Sequence, residues 1–234
     1  MIPKIIHYCW FGGNPLPKSA IKCINSWKKF FPDYEIREWN ESNFDVNMIP
    51  YTKEAYAAKK YAFVSDFARF WVLHEYGGIY FDTDVEVIRP MNDILNKGAF
   101  MGLEKAITTT QSRLYVNPGI GLACPAKHQV WSEIIELYKA FEHFDFMEQG
   151  TVCTITSDFL VSRGAILDGN QTECMGCTIY PADYFCPQAM MGAPIELTEN
   201  TRSIHHFDCT WLPWWRRTGV RIKQLIRNLI KQGH

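Results

Sequence analysis

No stretch of this 234-residue chain approaches the roughly 18 consecutive apolar residues of a membrane span, and residues 1–6 lack the basic segment and apolar core of a signal peptide. These absences predict a cytoplasmic location. Charge of one sign is also missing, because 24 Lys and Arg stand against 25 Asp and Glu for a formal net charge of -1. Nucleic-acid binding needs a clustered basic excess, so nucleic acid is excluded as a partner. Internal repeats and low-complexity linkers are absent too. What the chain does have is apolar material, 47% hydrophobic and 15% aromatic, enough to bury one substantial core. Its eight cysteines have no export signal beside them and read as reduced, mostly buried thiols. Cys174 and Cys177 form half of a zinc knuckle, but no second pair follows at ligand spacing, which disfavours structural zinc.

The apolar run at residues 3–10 is short and β-prone, and Gly12-Gly13-Asn14-Pro15 closes it, as expected for a buried strand entering a loop. Residues 17–31 place Ile21, Ile24, Trp27 and Phe31 at helical spacing, and residues 34–39 alternate as a strand. A right-handed crossover makes that pair parallel. A helix-rich stretch over 53–76 ends at Gly77-Gly78. The strand Ile79-Tyr80-Phe81 follows, is interrupted by Asp82-Thr83-Asp84, and resumes at 85–88. Further strands are predicted at 99–103 and 120–123, and helices at 128–141 and from 150 to 162. A threonine-rich loop is predicted at 104–113, and irregular structure through 176. The fold class is α/β, a mainly parallel sheet covered by helices. Ligands are expected at the carboxyl ends of its strands, where Trp10 and Asp82 would meet.

Asp82 and Asp84 flank one residue directly after a strand, which offers hard oxygen ligands suited to Mg2+ or Mn2+ carrying a diphosphate. Taken alone, such a pair is more often a turn. Asp66 and Arg69 precede it on one helix face, where an isolated pair is usually a surface ion pair. Together the residues spell Ser65-Asp66-x-x-Arg69 and Tyr76-Gly77-Gly78-Ile79-Tyr80-x-Asp82-x-Asp84. That pattern resembles glycosyltransferase family 32, the DXD sugar-binding group. The group includes yeast initiating mannosyltransferases and many bacterial capsule and lipopolysaccharide enzymes, and the glucosyltransferase domain of large clostridial toxins shares its pattern. Residues 2–12, Ile2-Pro3-Lys4-Ile5-Ile6-His7-Tyr8-Cys9-Trp10-Phe11-Gly12, look like the same family's first strand and loop.

The resemblance, over about residues 2–211, implies a GT-A glycosyltransferase domain at 1–211. It implies a nucleotide-sugar site of Trp10, Asp66, Arg69, Tyr80, Asp82 and Asn117, with Asp66, Arg69, Asp82 and Asp84 as the catalytic set. Trp10 would stack on the base, although an isolated Trp here would more often be core. Ser203-Ile204-His205-His206-Phe207-Asp208-Cys209-Thr210-Trp211 resembles the family's closing motif, which can supply a third metal ligand. On a strand only one of the two histidines faces the cation; His206 is favoured and His205 is the alternative. Asn117-Pro118-Gly119 is also a plain turn sequence. His7, Glu104 and His128 are candidate bases that nothing ranks.

The implied donor is a UDP-hexose, with GDP-mannose second. The acceptor is a saccharide or lipid-linked saccharide in cell-surface polysaccharide assembly. Retention of anomeric configuration is implied, and since no further carboxylate stands out as a nucleophile, a front-face displacement is expected. Residues 212–234 are expected to form a separate basic amphipathic helix. Ile222, Leu225, Ile226, Leu229 and Ile230 make its stripe, and Arg216, Arg217, Arg221, Lys223, Arg227 and Lys231 its charge. Such a helix suits an anionic membrane surface, with packing on protein as the alternative. The competing readings are a metal-dependent phosphohydrolase and a non-catalytic nucleotide-sugar or interaction module.

Overall fold

Alternation along the first strand builds the molecule in layers. β1 (Ile5–Cys9) sends Ile6 and Tyr8 into one buried cluster and Cys9 into another. β3 (Gly78–Tyr80) repeats the pattern with Ile79 on the first side and Tyr80 on the second. The chain is described here from a computed structural model over residues 1–106 and 114–208. Trp211 and the basic segment 212–234 lie outside the described residues.

The seven strands stand in the order β2 (Glu35–Trp39), β1, β3, β6 (Leu122–Cys124), β5 (Phe100–Gly102), β8 (Cys177–Tyr180) and β7 (Thr172–Cys174). β1 pairs in parallel with β2 and β3, and β5 with β8, whereas β6 and β7 run against their neighbours. Five strands therefore share one direction, as the mainly parallel expectation requires. α1 (Lys18–Phe30) covers one face through Cys23, Ile24 and Trp27. α2 (Pro50–Ala57), α3 (Tyr61–Tyr76), α5 (Gln129–Lys139) and α7 (Val152–Ser162) pack on the other. Three short turns, α4 (Asn92–Leu95), α6 (Phe146–Gln149) and α8 (Ala182–Phe185), complete the helices among the described residues.

The helix-rich stretch divides at Lys59, whose φ is 58°. The Lys60 N–H donates to Ala55 O and the Lys59 N–H to Tyr56 O, so a Schellman termination closes α2 before α3 begins. The segment 85–88 does not resume its strand. β4 (Val85–Val87) leaves the sheet and pairs antiparallel with β9 (Ser203–His205) as a separate ribbon, pinned to α1 where Trp27 Nε1 donates to Val85 O at 2.8 Å. The segment predicted to be irregular through 176 contains β7 and the turn that leads into β8. Cys174 and Cys177 are register partners across Met175 and Gly176, whose φ values of 53° and 73° fit a two-residue hairpin turn. Their spacing is that of a hairpin, with both thiols buried. Among the described residues, no helix is long and apolar enough to cross a membrane.

Candidate active site

β1, β3 and β5 point the same way, and a cleft of about 790 Å³ opens across their carboxyl ends. Its lining includes Trp10, Asp66, Arg69, Asp82, Asp84 and Asn117, whereas Tyr80, also in the expected nucleotide-sugar set, is buried beneath Arg69 and does not line it. Another hollow of about 870 Å³, between α5 and α7, contains none of these residues.

Arg69 is the keystone of the floor. It reaches from α3 over the Tyr80 ring, 5.1 Å from its centroid, and donates to Asp66 Oδ1 at 2.8 Å and to the Ser65 carbonyl at 3.1 Å. Asp82 Oδ2 lies 3.4 Å from Arg69, a long ion pair, while Asp82 Oδ1 accepts from the Tyr80 hydroxyl at 3.0 Å. Strand parity explains the grouping, because Tyr80 is the β3 side chain that faces α3. Burial pushes the Asp66 carboxyl above its ordinary range, and Arg69 opposes that push. Such a pair needs both partners, since either one alone would be an uncompensated buried charge.

Gly119 fixes where the Asp82 carboxylate sits. A Cβ there would fall 1.8 Å from Asp82 Oδ2, and the Gly119 carbonyl accepts from the Asp82 N–H at 2.8 Å. Asn117 shapes this turn by accepting from the Gly119 N–H at 2.8 Å, and its Nδ2 donates to Glu104 Oε2 at 3.2 Å. Glu104 also lines the cleft, and burial raises its pKa. Of the three unranked candidate bases, Glu104 is therefore the one that lines the cleft. Glu104 follows β5, and the antiparallel bridge between Leu103 and Val116 brings it beside Asn117.

The choice between the histidines is also corrected. The register pairs Val85 with His205, and His205 Nε2 lies 3.4 Å from Asp84 Oδ2 in the cleft wall. His206, one residue on, is turned to the other side of the ribbon, where it meets Glu86 Oε2 at 2.8 Å. Burial disfavours charge on both Asp84 and His205. Their mutual attraction outweighs it, holding the Asp84 carboxyl below its ordinary range and raising the His205 pKa well above 6.5.

At the other end of the cleft, Trp10 is half-buried and its Nε1 donates to Asn14 O at 2.6 Å. Gly12 has φ 95°, its N–H donates to Glu41 at 2.6 Å, and a Cβ there would lie 2.4 Å from the Tyr61 ring. The Gly12 loop is thus clamped between α3 and the segment after β2, leaving Trp10 at the rim. Sequence reading missed Tyr61 and Phe207, which also line the cleft. His7 and His128 do not reach it; His128 Nδ1 instead accepts from the Val130 N–H and caps α5.

Among the described residues, no group of three His, Cys, Asp or Glu side chains is placed to hold a metal ion. The two carboxylates Asp82 and Asp84 still fit a hard divalent cation whose remaining ligands are phosphate oxygens and water, the usual arrangement where such an ion carries a diphosphate.

Comparison with known proteins agrees with this geometry. A family model described as the glycosyltransferase sugar-binding region containing the DXD motif matches residues 17–101, which hold Asp66, Arg69, Asp82 and Asp84. Inositol phosphoceramide mannosyltransferase 1 of Schizosaccharomyces pombe is 26% identical over 162 residues, covering 64% of this chain and 47% of its own length. An uncharacterized glycosyltransferase of Acanthamoeba polyphaga mimivirus is 36% identical over 110 residues, 43% of this chain and 42% of its own. The chain thus spans less than half the length of both relatives. A crystal structure of a glycosyltransferase involved in glycosylation of the major capsid of PBCV-1 superposes with a TM-score of 0.52 at 11% identity, covering 94% of this chain and 100% of that one. Residues 17–101 thus match the glycosyltransferase sugar-binding region containing a DXD motif, and the chain carries that region on a GT-A fold.

Proposed function

We propose that the chain transfers a hexosyl group from a nucleoside-diphosphate sugar to a hydroxyl of a saccharide or lipid-linked saccharide, with Mn2+ or Mg2+ held by Asp82 and Asp84 and flanked by His205. One observation carries this reading: the Asp66–Arg69–Asp82 network and the Asp84–His205 pair meet on the floor of a single cleft with Trp10 at its rim. When bound, the cation would neutralise the charge that builds on the diphosphate as the anomeric C–O bond breaks. Arg69 fixes the Asp82 carboxylate and adds a buried positive charge beneath the leaving group. Trp10 offers its face to the base, and Asp66 offers a carboxylate to the ribose or sugar hydroxyls. The acceptor oxygen bonds to the anomeric carbon as the diphosphate departs with the electron pair of the broken C–O bond and takes up the acceptor's proton, and retention remains the expected course.

A UDP-hexose and a mannosyl donor are the donors to compare, the first from the resemblance and the second because the fission-yeast relative is named for mannosyl transfer to inositol phosphoceramide. A role in cell-surface polysaccharide assembly, at the cytoplasmic face of an anionic membrane reached through residues 212–234, completes the proposal.

The decisive experiment incubates the protein with UDP-glucose, UDP-galactose and GDP-mannose, with Mn2+ or with a chelator, and measures nucleoside diphosphate. Metal-dependent release from one donor is expected. Release of free phosphate instead would indicate a phosphohydrolase, and neither release nor thermal stabilisation by any donor would indicate an unrelated function.

A further inference from the structure

The carboxylates of the cleft do not share one environment. Asp66 and Asp82 face Arg69, and Asp84 faces His205. Glu104 is different: no Lys or Arg pairs with it among the described residues, and its hydrogen bond comes from the neutral amide of Asn117 at 3.2 Å. That amide is itself fixed, because Asn117 Oδ1 accepts from the Gly119 N–H and the Asn117 N–H donates to Gly102 O at 3.0 Å. A half-buried acid held this firmly, with no Lys or Arg partner among the described residues and His205 acting on it only through space, keeps acceptor capacity directed into the cleft.

Its place along the sheet says what would use that capacity. Trp10 follows β1, Asp82 follows β3, Asn117 and Gly119 precede β6, and Glu104 follows β5, in the spatial order β1-β3-β6-β5. With strands roughly 4.8 Å apart, Trp10 and Glu104 stand on opposite sides of Asp82, and Glu104 is on the order of 10 Å from it. A ligand with its base at Trp10 and its diphosphate at Asp82 and Asp84 directs its sugar toward β6 and β5. We propose that Glu104, braced by Asn117, accepts hydrogen bonds from hydroxyls of the transferred sugar and so selects the donor sugar. This assignment rests on the nucleotide-sugar reading of the cleft.

Calorimetric titration of the intact chain, wild type and Glu104→Gln, with Mn2+ tests it. UDP, UDP-glucose, UDP-galactose, GDP and GDP-mannose are the probes. For the nucleotide sugar that the wild type binds, the variant is expected to lose roughly tenfold or more in affinity, the size of a lost hydrogen bond to a charged group. Its affinity for the matching bare nucleoside diphosphate should stay within about twofold, because that ligand ends before Glu104. Equal weakening of both ligands would make Glu104 architectural and overturn the assignment, as would unchanged binding of both. A wild type that binds no probe overturns the nucleotide-sugar reading itself, and the Glu104 assignment with it. If Glu104→Gln fails to fold, Glu104→Asp keeps the charge, shortens its reach, and is read by the same comparison.

Discussion

Two buried polar clusters lie under the same helix, α3, and they differ in one respect. Near the end of α3, His7 is wholly buried; Trp39 Nε1 donates to its Nδ1 at 3.0 Å, and its Nε2 donates to Gly77 O at 2.8 Å. Both ring nitrogens are satisfied inside the fold. Earlier on α3, Arg69 is equally buried, with 4% of its side chain exposed, but its partner Asp82 is 30% exposed and opens onto the cleft. A polar residue in an apolar strand is therefore ambiguous until its hydrogen bonds are counted. The closed cluster ties β1 to β2 and to the start of β3, and the open one leaves oxygen lone pairs available to a ligand.

Breaking the open cluster should abolish function while sparing the fold. Asp82→Asn keeps the shape but removes the charge, and turnover of a nucleotide-sugar donor should fall by about a hundredfold or more, with little change in melting temperature. Steady-state kinetics beside a melting curve checks both halves, and wild-type turnover would remove Asp82 from the chemistry.

Breaking the closed cluster should do the reverse. His7→Ala strands the Trp39 N–H and the Gly77 carbonyl and leaves a cavity, costing about 3 kcal/mol in urea unfolding while activity per folded molecule is preserved. Burial lowers the His7 pKa to about 4 from its ordinary 6.5. Between those values the unfolded chain takes up a proton that the folded chain does not, so stability is lost as pH falls through that window. From pH 7 to pH 5 this loss should be about 2 kcal/mol, and His7→Gln should flatten the dependence.

A subtler change sharpens the comparison. Gly119→Ala should displace the Asp82 carboxylate without touching its charge, giving a turnover loss of about tenfold and a stability loss of about 1 kcal/mol. Normal turnover would show that the carboxylate has room to move. The smallest effect is expected at His206, where His206→Ala should leave turnover within about twofold, because it removes only a half-buried contact to Glu86. His205→Ala should lower turnover clearly more; the reverse ranking would restore His206 to the site.

These contrasts mark what sequence reading could reach. Asp66 and Arg69 were legible as one helix face, and Asp82 as a strand-end carboxylate, because both depend on local periodicity. The β7–β8 hairpin was not, since three residues carry too little alternation to mark a strand. Glu104 stood among unranked candidate bases for a different reason. Its neighbour Asn117 is close in sequence, but Trp10 and Asp82 become its cleft partners only through the order of the strands.

The sequence alone therefore determined the alternation of strands and helices and the strand-end position of the DXD carboxylates, because each is written in periods of two or about four residues, and its motif residues carried the family resemblance. The tertiary structure decided which histidine faces Asp84, that Glu104 lines the cleft, and that His7 is closed off from it. Those outcomes depend on register and strand order, set by contacts between segments far apart in the chain: Val85 pairs with His205 across 120 residues, and a slip of one residue would exchange His205 for His206.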